Sequence, residues 1–194
     1  MKGILMKPDM IQAIAEGRKT VTRRLFSPQP VLSISDEQFK KNLAMSKSLH
    51  TGFGQRYRVG EIVYVKEAWE IEQVNFPMVE ISYTSDTYGT DNHDVYIGDK
   101  KLPKNLDRIQ SPLFMPAWAA RHFLKILSVR PERLQDITED NILKEGIIRS
   151  QERYLRPSAV EQFAKLWDSI NPKHPFSSNP WIRRIEFKEV ERPE

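Results

Sequence analysis

The sequence predicts an α+β domain built on a small mixed β-barrel, and three observations support this fold class. About six strand-like segments and three or four short helical segments follow one another without the regular βαβ alternation of a parallel sheet. The length of 194 residues suits a single domain, 1–194. Two long polar stretches, at 27–57 and 86–112, show no clear periodicity, and we interpret them as loop insertions into that domain.

The strands are predicted from β-branched runs and from alternation of apolar and polar residues. In chain order they cover 4–6, 20–26, 62–66, 79–84, 123–129 and 181–190. The run at 62–66 is apolar on successive residues, which is typical of a strand buried on both faces. The segment 79–84 alternates strictly, which indicates a strand with one solvated face.

The helices are predicted from residues that suit helix termini. They are a helix from Pro8 that ends at Gly17, a helix capped by Thr138 that ends at Gly146, and a helix over 158–170 that opens with a Ser158–Glu161 capping box. A further helical turn is predicted around 37–43, and another after Pro116. Trp167 lies on the apolar stripe of the 158–170 helix, which predicts a core position.

Composition excludes several classes of protein. There is no cysteine, so disulfides, thiolate metal sites and cysteine nucleophiles are excluded. The four histidines lack the spacing of metal ligands, and no glycine-rich phosphate or dinucleotide motif is present, so we predict no metal and no cofactor. No apolar stretch reaches membrane-spanning length, and we predict a cytoplasmic protein with no membrane partner. Its oligomeric state cannot be predicted from the sequence.

Positive charge is concentrated near the start of the chain. The whole protein carries 30 basic and 26 acidic residues, but residues 1–30 alone hold six basic and two acidic ones. Four of the six lie in the segment 17–24, Gly-Arg-Lys-Thr-Val-Thr-Arg-Arg, at the start of a predicted strand. Because like charges side by side repel, this density of positive charge is unfavourable for the fold alone. It predicts an anionic or hydrogen-bond-rich ligand that faces the segment in a concave site.

The segment 17–24 and four later blocks together resemble the ASCH domain family, in its larger, phage-associated branch. The blocks are Gly17-x-Lys19-x-x-Thr22-x-Arg24; Gly60-Glu61 leading into Val65-Lys66-Glu67-Ala68-Trp69; 114–121; 134–137 with Glu145-Gly146; and 166–170 with Asn179-Pro180-Trp181. This resemblance implies a PUA-like β-barrel, related to RNA-binding modules, with RNA or a modified nucleoside as the partner.

The resemblance also implies a candidate chemistry. A compact bacterial member of the family is an amidohydrolase that deacetylates acetylated cytidine. By that likeness Lys19 is the general base, Thr22 the nucleophile and Glu145 the supporting carboxylate. Lysine is a base only when neutral, which requires burial and neighbouring cations to outweigh Glu145. The alternative is that Lys19 is a charged anion clamp and Thr22 a strand hydroxyl bonded to the backbone.

Further residues are predicted to contact the ligand: Arg23, Arg24, Glu67, Trp69, Trp118 and Arg121. Strand alternation places Arg24 on the face of Thr22, toward the ligand, and Arg23 on the opposite face, where it can pair with a carboxylate such as Glu67. Glu67 is either an ion-pair partner or a ligand acceptor. Among the tryptophans, Trp118 is the best candidate to stack on a base.

Three function classes therefore remain open from the sequence. The first is a domain that binds RNA or a modified nucleoside in a basic cleft. The second is the amidohydrolase acting through Lys19, Thr22 and Glu145. The third is a phage accessory or assembly protein in which the long loops make partner contacts.

Overall fold

The structure is a computed structural model that describes residues 1–26, 35, 37–38, 41, 56–84, 93–106, 108–148 and 157–193. Residues 37–38 and 41 of the helical turn predicted at 37–43 are helical, and the rest of that turn lies outside the described residues. Most of the 27–57 insertion and part of the 86–112 insertion also lie outside the described residues. None of the helices in the described part of the chain is long and apolar enough to cross a membrane.

The described residues form eight strands. They are β1 (Lys2–Leu5), β2 (Val21–Leu25), β3 (Ile62–Lys66), β4 (Trp69–Asn75), β5 (Met78–Tyr83), β6 (His93–Tyr96), β7 (Phe123–Arg133) and β8 (Trp181–Val190). Six of these correspond to predicted strands, and β4 and β6 were not predicted. The second half of β4 is polar, and β6 has four residues within a polar stretch, so both owe their conformation to pairing with β5.

The strands belong to two sheets. In the first, the strand order is β1-β3-β7-β8-β2, with β1 parallel to β3 and the pairs β3–β7 and β2–β8 antiparallel. The second is an antiparallel meander, β4-β5-β6, with a register shift between Ile71 and Gln73. The α+β class is therefore confirmed. The predicted closed barrel of about six strands is not what the described residues form, because both sheets keep two edge strands.

Three α-helices are described over their full length, and they begin and end at the predicted kinds of residue. They are α1 (Pro8–Ala15), α2 (Glu139–Lys144) and α3 (Ala159–Ile170), and short 3₁₀ turns include Pro112–Phe114 and Ala117–Ala119. Thr138 caps α2, and the Ser158–Glu161 capping box opens α3, with both of its hydrogen bonds formed. Gly17 and Gly146, which follow α1 and α2, have φ of 71° and 92°, where a side chain is strained.

The chain divides into two compact units. The first comprises Met1–Gly17, Ile62–Lys125 and Glu189–Glu194; the second comprises Arg18–Glu61 and Ile126–Lys188. The prediction of a single domain over 1–194 stays a prediction.

Each unit has its own apolar cluster. In the first unit, strands β4 and β5 pack Trp69, Ile71, Val79 and Ile81 against the 3₁₀ segment around Met115. In the second unit, α2 and α3 pack their apolar faces together, and Trp167 is buried as predicted. Its indole Nε1 donates to the carbonyl of His174, so the polar atom of this core side chain is satisfied.

Candidate functional site

The cationic segment forms hydrogen bonds with the carboxyl end of α2 within the second unit. The last carbonyls of a helix lack partners inside the helix. Here the Lys144 carbonyl accepts from the Thr20 amide at 2.9 Å, and the Gly146 carbonyl accepts from Arg18 Nη1 at 2.7 Å. The segment between α1 and β2 therefore supplies the cap that α2 needs, and this brings Lys19 to Glu145.

Lys19 and Glu145 form a buried ion pair. Lys19 Nζ lies 2.6 Å from Glu145 Oε2, and it also donates to the Glu145 main-chain carbonyl at 2.8 Å. The exposed fractions of the two side chains are 2% and 6%. A carboxylate at a helix carboxyl end is disfavoured by the helix dipole, and these contacts explain how Glu145 is tolerated there.

Arg23 holds the other oxygen of the same carboxylate. Its Nη1 lies 2.8 Å from Glu145 Oε1, and its Nε lies 2.9 Å from Glu132 Oε1. The prediction that Arg23 pairs with a carboxylate is therefore confirmed, but its partners are Glu132 and Glu145 rather than Glu67. Glu132 lies near the end of β7 in the same unit, and in the sheet order β8 lies between β7 and the strand β2 that carries Arg23. The Arg23 Nη2 atom is buried and has no hydrogen-bond partner among the described residues, which leaves one donor for a ligand oxygen.

Thr22 and Arg24 complete the group that we call the Lys19 site: Lys19, Thr22, Arg23, Arg24 and Glu145. Thr22 is buried. The alternative in which the backbone satisfies its hydroxyl stays a prediction. Arg24 is half-buried and donates to the Arg23 carbonyl at 3.2 Å.

The protonation of Lys19 is shifted by its surroundings. Burial lowers the pKa of Lys19 below its ordinary value of 10.5, and the charges of Arg24 and Arg23 lower it further. The contact with Glu145 acts in the opposite direction without restoring the ordinary value. Burial and the arginines thus outweigh the carboxylate, and the pKa of Lys19 lies below its ordinary value.

This shift predicts how Lys19 titrates. In ¹³C NMR of the lysine side chains, we expect the Lys19 ε-carbon to titrate with a midpoint below 10.5, and Arg24→Met to move that midpoint upward because a neighbouring cation is removed. Between the lowered pKa and 10.5 the unfolded chain holds more protons than the folded one, so Lys19 makes stability rise with pH in that window. A midpoint at or above 10.5 would contradict the prediction.

Four further predicted residues lie in the first unit: Glu67, Trp69, Trp118 and Arg121. Together with Tyr83, which was not predicted, they form the group that we call the Arg121 site. Arg121 donates two hydrogen bonds to the Glu67 carboxylate, from Nε to Oε1 at 3.1 Å and from Nη2 to Oε2 at 3.0 Å. The Arg121 guanidinium also lies 4.2 Å from the centroid of the Tyr83 ring. Of the two roles considered for Glu67, the ion pair is the one observed.

The tryptophans of the Arg121 site differ in exposure. Trp69 is buried and meets Trp118 edge to face, with ring centroids 5.6 Å apart. Trp118 is half-buried, so it retains ring surface on which a base could stack. Trp69 Nε1 is buried without a hydrogen-bond partner among the described residues.

The predicted site residues therefore fall into two groups rather than one. The Lys19 site belongs to the second unit and the Arg121 site to the first.

Sequence analysis missed Glu132 and a pair of arginines, Arg183 and Arg184. The two arginines lie in β8 directly opposite Arg24 and Arg23 of β2. Two adjacent arginines interrupt the alternation of apolar and charged residues in β8, and this interruption was a readable signal. Glu132 had no comparable signal.

Comparisons with known proteins gave structural matches only. No protein-family model and no curated protein matches the chain. The structure is similar to that of an Enterococcus faecalis protein of the DUF984 family, with 9% identity, a TM-score of 0.43, and coverage of 98% of this chain and 81% of that one. It is also similar to an ASCH domain from Lactobacillus crispatus, with 12% identity, a TM-score of 0.37, and coverage of 93% and 70%. Both likenesses are too loose to transfer function.

Proposed function

We propose that the Lys19 site binds RNA or a modified nucleoside through the polar edge of a base. The observation that supports this proposal is the buried Lys19–Arg23–Glu145 network, next to the buried Thr22 on strand β2. A base edge presents alternating donors and acceptors, and such an edge is read by fixed polar groups of both kinds.

The network contains both kinds of group in a fixed geometry. Arg23 Nη2 is a donor, and the Thr22 hydroxyl both donates and accepts. The Glu145 oxygens, each held by a cation, keep lone pairs that can accept from an exocyclic amine. The buried ion pairs hold these groups in place before a ligand arrives, which lowers the entropic cost of binding.

Calorimetric titration with cytidine, acetylated cytidine and a short cytidine-rich RNA tests the proposal. We expect binding of at least one of the three, and about fivefold weaker binding for Thr22→Val, since one hydrogen bond to the ligand contributes about 1 kcal/mol. Thr84→Val, in the first unit, is the matched control that removes a hydroxyl elsewhere. Failure of all three ligands to bind at millimolar concentration would refute the proposal.

A second candidate function is hydrolysis of the acetyl amide of acetylated cytidine. The lowered pKa of Lys19 favours it, because a lysine serves as a general base only in its neutral form. In this reaction Lys19 accepts the Thr22 proton, and the Thr22 oxygen attacks the acetyl carbonyl. The C–N bond breaks as the cytosine amine takes a proton, and water then hydrolyses the acetyl-threonine ester to acetate and restores Thr22.

Chromatographic detection of free cytidine tests this candidate. We expect turnover that rises with pH through the lowered Lys19 pKa, that Thr22→Val abolishes and that Thr84→Val leaves intact. Binding of acetylated cytidine with no turnover across the pH range would exclude the reaction and leave the binding function standing.

A further inference from the structure

Phe114, in the first unit, has the most exposed large apolar side chain among the described residues, at 83%. Leu113 next to it is 62% exposed, and Ile109, five positions earlier, is 57% exposed. Single exposed apolar side chains are ordinary on a protein surface, but several within six residues of chain form a patch. Apolar patches mark surfaces that contact a ligand or a partner.

The backbone on both sides of Phe114 is bonded to strand β3. On one side, the Leu113 carbonyl accepts from Lys66 Nζ at 2.7 Å. On the other side, the Met115 carbonyl accepts from the Tyr64 hydroxyl at 3.0 Å, and the Met115 side chain is itself buried. This anchored turn keeps the Phe114 ring at the surface, where its exposure costs free energy until something covers it.

Positive charge accompanies the exposed ring. The ammonium of Lys66 lies beside Phe114 through its bond to the neighbouring Leu113 carbonyl, which carries no charge. The stretch 99–110, which precedes the turn, holds four basic and two acidic residues. Its four basic side chains are all exposed: Lys100, Lys101, Lys104 and Arg108.

The cationic stretch is also anchored to the first unit. The Gln110 side chain donates to the carbonyls of Asn105 at 2.6 Å and Arg108 at 2.8 Å, and the Gln110 main chain forms a bridge with Trp69 of β4. Two leucines of the stretch, Leu102 and Leu106, pack against the apolar cluster of the unit. The fold therefore fixes the backbone that carries these cations, which lowers the entropic cost of binding a ligand.

A second aromatic side chain lies four residues after Phe114. Trp118 is half-buried and meets Trp69 edge to face, with ring centroids 5.6 Å apart. The Nε1 atom of Trp69 is buried and has no hydrogen-bond partner among the described residues. Buried donors of this kind are uncommon in folded proteins, and an acceptor on a ligand that contacts Trp118 would satisfy this one.

We propose that Phe114, Trp118, Lys66, Lys104 and Arg108 form a surface of the first unit that binds a single strand of RNA, and we call it the Phe114 surface. Exposed aromatic rings stack on unpaired bases while neighbouring cations contact the phosphates, which is how proteins bind single strands. A purely apolar partner would gain nothing from the cations. The choice of RNA rests on the proposed function, whereas none of these residues belongs to the Lys19 site.

Titration of the protein with a short cytidine-rich RNA, followed by fluorescence anisotropy, tests the inference. We expect about tenfold weaker binding for Phe114→Ala, because the stacking of one base is lost. Arg108→Gln should reduce the slope of log affinity against log salt concentration by about 0.7, the value for one phosphate contact with a single strand. Neither change should alter the binding of cytidine, which carries no phosphate and has its base at the Lys19 site.

Phe76→Ala is the matched control for Phe114→Ala. Phe76 is 73% exposed and belongs to the same unit, but it follows the end of β4 that lies away from the bridge between Trp69 and Gln110. We expect this variant to bind the RNA as the unaltered protein does. Since both phenylalanines are exposed, neither change removes a core side chain, and urea denaturation checks that both variants fold.

The outcomes separate this inference from the proposed function. Equal RNA affinity of Phe114→Ala and the unaltered protein overturns the Phe114 surface, and the proposed function stands if Thr22→Val still weakens binding of cytidine. RNA binding that Phe114→Ala weakens, without binding of cytidine or any effect of Thr22→Val, supports the Phe114 surface and refutes the proposed function. Tighter binding of an RNA duplex than of the strand overturns the inference, because paired bases offer no free face for stacking. Absence of RNA binding also overturns it, and a change of oligomeric state in Phe114→Ala would then assign the patch to a contact between proteins.

Discussion

Replacing Glu145 with glutamine is expected to lower the free energy of unfolding by about 3–5 kcal/mol, because the change leaves two buried cations without their shared carboxylate. Lys19 and Arg23 each contact a different oxygen of Glu145, and both cations are nearly inaccessible to solvent. The amide of glutamine can accept from only one of them and carries no charge. Urea denaturation monitored by tryptophan fluorescence measures the effect.

A control and a double variant sharpen this prediction. Glu132→Gln should lower the free energy of unfolding by less than Glu145→Gln does. Glu132 keeps 22% of its side chain exposed, and Arg23 retains Glu145 as a partner. The double variant Lys19→Met with Glu145→Gln should be more stable than Glu145→Gln alone, because the uncompensated ammonium has been removed. If the two changes simply add, the ion pair between Lys19 and Glu145 contributes nothing and the interpretation of the site is wrong.

Replacing Arg121 with methionine is expected to cost a similar amount, about 3–5 kcal/mol, in the first unit. Glu67 is buried, with 1% of its side chain exposed, and Arg121 binds both of its oxygens. Methionine keeps much of the apolar contact with the Tyr83 ring but removes the charge and both hydrogen bonds. The loss of unfolding free energy therefore reflects the buried Glu67 carboxylate left without its cation, and not a loss of packing. Urea denaturation measures this loss.

Two further variants separate charge from geometry at Arg121. Arg121→Lys keeps the charge but cannot form the paired bonds, so we expect an intermediate loss. Arg108→Gln, which removes an exposed arginine of the same unit, should stay within about 0.5 kcal/mol of the unaltered protein. A loss for Arg121→Met no larger than that of Arg108→Gln would show that the buried carboxylate is satisfied by other groups.

Local signals accounted for most of the elements that the structure contains. Pro8 and Gly17 bound α1, Thr138 caps α2, and Ser158 with Glu161 opens α3, because these residues act on the backbone within one turn. The strands that sequence analysis missed, β4 and β6, carry weak local signals and depend on β5 for their hydrogen bonds. Closure of the predicted barrel depends on pairing between strands that are far apart in the chain. Local sequence signals do not specify such pairing, and this part of the fold prediction was wrong.

The sequence by itself determined the α+β class, the helix boundaries and the concentration of cations between α1 and β2, because composition, capping and periodicity are local properties of the chain. Only the tertiary structure decided the partners. Lys19 meets Glu145 across 126 positions, Glu67 meets Arg121 across 54, and Arg24 faces Arg183 through the register of two strands. Ion pairs and strand registers of this kind depend on how distant segments dock, and a charged side chain read in isolation is compatible with many partners of opposite sign.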